Sequence, residues 1–265
     1  MNIYRYELRA NRRSTIAWTL GLVVLTVFFF SLYPAYASNE TAVRTILKGF
    51  PPQVLSASGI NPDILFTVNG FYIFEFTYLA LCGAFQAMNL GLAVLSKETR
   101  GRTADFLLTK PVSRREIMTE KLLAAVSLLL LTNIAFIAAA TITALLVSSN
   151  SFSYRGFLMI SLTLIFIQLM FTALGLLISV LIKRIKSVTT ISLATVLGLF
   201  FIGAVSSASA DQKLRYFSPF KYFDPQYIAR HLHYETTFTW TALCLVAAAI
   251  IVSYIVFIRQ DIYAV

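Results

Sequence analysis

The sequence predicts an all-α polytopic membrane protein, and three observations carry that expectation. Of the 265 residues, 58% are hydrophobic and only 13% charged, with a positive mean hydropathy of +0.75. The charges cluster between long apolar runs instead of spreading over a water-facing surface. Six runs reach the ~20 residues that a helix needs to cross a hydrocarbon core of about 30 Å: Ile16–Tyr36, Phe71–Leu95, Leu122–Val147, Phe157–Ile182, Val188–Ala208 and Thr239–Ile258. Their helical length, without the alternation of a barrel strand, excludes a membrane barrel.

Ahead of the first run, Arg5, Arg9 and Arg12 recur at helical spacing while Tyr4 and Leu8 lie on another face. This pattern suits an interfacial helix leading into the first span, and equally an ordinary basic flank. The run that follows Arg12 and Arg13 is too long for the apolar part of a signal peptide, so Ala35-Tyr36-Ala37 is not expected to be a cleavage site. Between the first two spans, Val43, Ile46, Leu47 and Phe50 fall at helical spacing before Pro51 and Pro52. They predict a short helix on the outer leaflet.

The second span carries Tyr72, Glu75, Tyr78, Cys82, Gln86 and Asn89 on about a third of its circumference. Glu75 is the one acidic residue placed inside a span. An ionisable group at that depth normally faces the bundle interior or a water-filled cavity. The fourth span repeats the theme with Ser161, Gln168, Thr172, Gly175 and Ser179. Two readings stand: a substrate-facing wall formed by Glu75, Tyr78, Gln86, Asn89, Gln168 and Thr172, or polar groups bonding between closely packed helices. Gly83, Ala87 and Gly91, at four-residue spacing, favour close packing on the neighbouring face. For Glu75, anchoring at the outer interface is a third possibility.

Lys97 to Lys121 is the long charged stretch, and it reads as two helices with a break. Thr103 is a candidate N-cap, Phe106, Leu107 and Leu108 form a short apolar turn, and Pro111 ends it. Ser113 and Glu116 make a capping box for the next span. Near the other end of the chain, Arg215–Tyr234 is dense in aromatics interrupted by Pro219 and Pro225, which suits the headgroup level. His231 and His233 have no cysteine nearby and read as surface histidines, so no metal is expected. Cys82 and Cys244 each sit in a span and predict no disulfide.

Fifteen of the 22 Lys and Arg residues fall on the side that holds both termini. The termini are therefore expected in the cytoplasm, with anionic lipid as the partner of the basic flanks and no nucleic acid. The chain contains no phosphate-cradling G-x-x-x-x-G-K-[ST] loop, no H-E-x-x-H and no G-x-S-x-G. No catalytic residue is expected.

The loop ETRGRTADFLLTKPVSRREI resembles the cytoplasmic loop of ABC-2 type transporter permeases, with Glu98, Gly101, Thr103, Asp105, Leu107, Leu108, Pro111, Ser113 and Arg114 carrying the match. Arg102 departs from it, separating Gly101 from Thr103. The basic start NIYRYELRANRRS, the segment SPFKYFDP and the six-span plan extend the resemblance over the full length. The resemblance implies a single transmembrane domain over 1–265, placed in the cell membrane. It also implies two copies of a separately encoded ATPase, which hold ATP and Mg, and a second permease chain, identical or sister. The ATPase would dock on a coupling helix at Thr103–Thr109, with Phe106, Leu107 and Leu108 as apolar anchors and Asp105 as a polar contact. Three consecutive apolar residues in a cytosolic loop agree, since they need a cover. The expected function is export of an amphipathic peptide, antibiotic or lipid-like molecule. The alternative is a secondary transporter or channel that uses Glu75 as an ion or proton site.

Overall fold

The computed structural model describes residues 3–101, 113–148, 153–182, 185–209 and 212–259. Among them are six helices long and apolar enough to cross a membrane. The first, α1 (Ile3–Ser38), is one continuous helix of 36 residues. The basic start is thus helical and continuous with the first apolar run, not an unstructured flank. Two short helices follow, α2 (Glu40–Leu47) and α3 (Pro52–Ala57). α2 buries no residue, and an Arg44–Glu40 pair at 2.7 Å runs along its exposed side. Pro52 does not merely stop the chain: it occupies the first turn of α3, where its missing N–H costs nothing.

Gly59, at φ +76°, turns the chain back against Thr77. From there α4 (Val68–Gly101) returns through the bundle and continues past its apolar stretch. After residues 102–112, α5 (Arg114–Val147) begins at Ser113, whose hydroxyl accepts from the Glu116 N–H at 3.2 Å. The remaining spans are α6 (Tyr154–Leu181), α7 (Val188–Ser209) and α10 (Thr236–Arg259). Between α7 and α10 lie α8 (Gln212–Arg215), a 3-10 turn at Pro219–Lys221, and α9 (Pro225–His231).

The core is the α4–α6 pair, the most extensive contact between elements. In their most apolar stretches 67% of α4 and 61% of α6 is buried, against 17% in α1, 17% in α7 and 11% in α10. The three peripheral helices therefore offer apolar faces to lipid or to another chain. Small residues let the central backbones touch: a Cβ at Gly175 would lie 2.8 Å from the Met88 carbonyl, and one at Gly91 would collide with the Thr172 carbonyl. α1 packs along α5, and α10 lies against α6.

The aromatic segment after α7 departs in part from the expected headgroup-level position. Tyr216 and Phe217 are exposed, but Tyr222 and Phe223 are buried. Phe223 stacks on Phe166 at 5.1 Å, and Phe220 meets Phe171 and Phe200. The segment turns into the bundle, where surrounding protein satisfies irregular backbone that lipid would not. Arg215 fixes its shape by donating to the Lys221 carbonyl at 2.8 Å, pairing with Glu235 and lying over the Phe238 ring at 3.8 Å.

Candidate functional site

The polar residues of the spans meet in one buried layer. Thr19 of α1 shares a hydrogen bond with Thr132 of α5 at 2.9 Å, and the Gln86 amide of α4 donates to Thr132 at 2.8 Å. Gln168 of α6 donates to the Gln86 carbonyl oxygen at 3.2 Å and accepts from Asn133 at 2.6 Å. Four spans are thereby joined in one run of side-chain hydrogen bonds. Thr172 donates to the Ala87 carbonyl at 3.4 Å, and Ser192 of α7 donates to Asn89 at 3.0 Å. Gln86, Asn89, Gln168 and Thr172 thus have the partners of interhelical bonding, each such bond contributing ~0.6 kcal/mol on average. Tyr78 has no part in this run and stacks on Phe29 at 5.7 Å.

Glu75 differs from all of these. Its side chain is fully buried, and neither carboxyl oxygen has a hydrogen-bond partner among the described residues. Burial leaves no room for interfacial anchoring. The nearby Tyr72 hydroxyl is committed to Ser161 at 2.7 Å, and the Tyr72 ring is packed between Phe30 and Phe157. A buried carboxyl without a donor costs free energy, so its retention asks for a role that packing does not supply.

A second polar centre sits at the end of the bundle that holds the termini, and the sequence reading missed it. Lys121 of α5 is 2% exposed; its ammonium donates to Glu7 at 3.0 Å and to the Val94 carbonyl of α4 at 2.8 Å. Asn11 donates to the same Glu7 carboxylate, and the Tyr4 N–H donates to Glu120 at 3.0 Å. The clamp ties α1 to the two helices that bracket residues 102–112. Its one sequence signal is a lone acidic residue, Glu7, inside the basic start, opposite a lysine at the mouth of an apolar run. The count of basic residues takes Lys121 only as a flanking charge and leaves Glu7 out.

Of the candidate coupling residues, Glu98 falls in the last turns of α4, while Thr103, Asp105, Phe106, Leu107, Leu108 and Pro111 lie outside the described residues. His231 stacks on Tyr227 at 4.1 Å with His233 beside it, and no group of metal-ligating side chains occurs among the described residues. Cys82 is half-buried and Cys244 exposed, and they are not joined.

Six spans built on a tight α4–α6 pair, with a charged stretch of sequence between α4 and α5, set the frame for the family comparison. The sequence matches the family model described as ABC-2 family transporter protein over residues 1–262. The chain belongs to that family. No curated protein matches it. As an ABC-2 permease it is the membrane subunit of an ABC transporter, works with an ABC ATPase subunit, and is a multi-pass membrane protein. In this permease the helices on either side of residues 102–112 are joined at their bases through Lys121.

Proposed function

We propose that this permease exports an amphipathic molecule, such as a peptide, an antibiotic or a lipid-like compound, and that both termini face the cytoplasm. Two ATPase copies drive it, docked on residues 103–109, and a second permease chain, identical or sister, completes the pathway. The carrying observation is where the loop is rooted: it leaves from α4, the most buried span and half of the central pair. A push delivered there passes directly into the α4–α6 core. Glu75, buried and without a donor, is the residue of the central span proposed to meet a polar group of the passing molecule. Family membership favours this ATP-driven reading over a secondary transporter or channel.

Replacing Leu107 and Leu108 together by Glu tests the docking. The double variant is expected to insert normally but to lose the ATPase on co-purification, because apolar anchors are exchanged for unpaired charges, and interface anchors of this kind are each worth about 2 kcal/mol or more. Retention of the ATPase together with substrate-stimulated ATP hydrolysis would refute the docking.

A further inference from the structure

Two adjoining cavities open at the end of the bundle opposite the termini, where α3, α4 and α7 meet the segment after α7. One is polar, with a volume of about 250 Å³, lined by Ser56, Thr77, Ser206, Ser207, Lys221 and Asp224 among others. The other is a narrow apolar slot of about 40 Å³ between Phe76, Ala80, Ile167, Phe200 and Phe220. Thr77, Lys221 and Pro225 line both, so the cavities meet at Lys221.

The charges around the polar cavity are unequally committed. Arg215 spends its guanidinium on Glu235 and on the Lys221 carbonyl. Asp224 caps α9, accepting from the Gln226 N–H at 3.1 Å. Lys221 makes no hydrogen bond or ion pair with its side chain among the described residues, although its stem is packed near Gly203 of α7. Its ammonium lies at the border of a hydroxyl-lined chamber and an aromatic slot, close enough to feel the Asp224 carboxylate but not joined to it in an ion pair. The chamber has room for a phosphate-sized head with water, and the slot accepts the first part of a hydrocarbon chain.

We infer that this composite cavity binds an anionic amphiphile, with its phosphate-like head on Lys221 in the polar chamber and its chain in the Phe76–Phe200–Phe220 slot. The inference deepens the proposed export of amphipathic molecules and rests on that reading for its place in transport. Binding itself needs neither ATP nor the ATPase, so a failed binding test removes the site and leaves the export reading standing.

The test uses the full-length permease in detergent with dodecyl phosphate bearing a chain diazirine, the adducts being mapped by mass spectrometry after irradiation. Adducts are expected on α4 and α7 around Phe76 and Phe200. Lys221→Met should lower their yield about tenfold or more through loss of a charge-assisted contact, and Lys221→Arg should retain it. A dodecyl trimethylammonium probe with the same diazirine should leave these positions unlabelled, and inorganic phosphate should not compete. Equal labelling by the cationic probe, or unchanged labelling of Lys221→Met, would overturn the inference. Competition by inorganic phosphate would overturn it in favour of a free-anion site. If Lys221→Met does not fold, the anionic and cationic probes on the unsubstituted protein decide the matter alone.

Discussion

Replacing Glu7 by Ala takes one partner from a pair in which Lys121 is 2% and Glu7 5% exposed. The ammonium keeps its bond to the Val94 carbonyl but loses the carboxylate 3.0 Å away. Breaking a buried pair from one side costs about 3–5 kcal/mol, because the remaining buried charge loses a partner. For a chain of this size that corresponds to a fall of roughly 6–12 °C in Tm. Exchanging both partners for apolar residues of similar volume, Glu7→Leu with Lys121→Met, should restore most of the loss, since no charge then remains to be desolvated. The assay is thermal unfolding of the purified permease in detergent, run on both single variants and the double as a cycle. If Glu7→Ala melts with the parent, or if the double variant loses as much as the two singles together, the clamp is not the buried pair described.

Glu75→Leu should raise Tm, because it removes a buried carboxyl that has no donor, and should lower transport if the carboxyl meets the exported molecule. Transport equal to the parent would end that role. Gly91→Leu should separate α4 from α6 and destabilise by about 3 kcal/mol or more, the side chain having no space beside the Thr172 carbonyl; normal melting would show that the pair is looser than described. Desolvation by burial holds Lys221 below its ordinary value of 10.5, with Arg215 lowering it further and Asp224 opposing. The unfolded chain therefore keeps that proton to higher pH, and stability should rise as pH climbs through the window below 10.5. That rise should shrink in Lys221→Met in thermal melts across pH. For topology, cysteines at Ser38 and Ser209 should react with an impermeant reagent from outside intact cells and one at Thr109 should not; labelling at Thr109 would reverse the orientation.

Helices of this kind are legible because lipid demands a continuous apolar run and leaves no other backbone solution. The start of α5 was equally legible, since Ser113 is a capping residue at the edge of such a run. Pairing was not. Hydropathy marks Gln86, Gln168 and Asn133 as costly, but which of them meet depends on how α4, α5 and α6 rotate against one another, a property of three surfaces at once. Glu7 and Lys121 are 114 residues apart, and a count of basic residues registers Lys121 at the end of the termini without registering the carboxylate that it meets. The aromatics of the segment after α7 show the same limit: composition located Phe217 and Phe223 together, but only the Arg215 tether decides that one faces out and the other in.

That tether has a mechanical consequence. Arg215 and Glu235 close the segment after α7 into a short ring that joins the ends of α7 and α10 lying away from the termini. Phe220 and Lys221 ride on this ring, pressed into the bundle between α6 and α7. α10 is the least buried span, so it is the easiest to displace. Tilting the Thr236 end of α10 drags the ring and draws the aromatic wedge along with it, whereas a slack loop would let the helix swing alone. The peripheral helix is in effect the handle and the Phe220 wedge the latch, with Arg215 as the rivet between them.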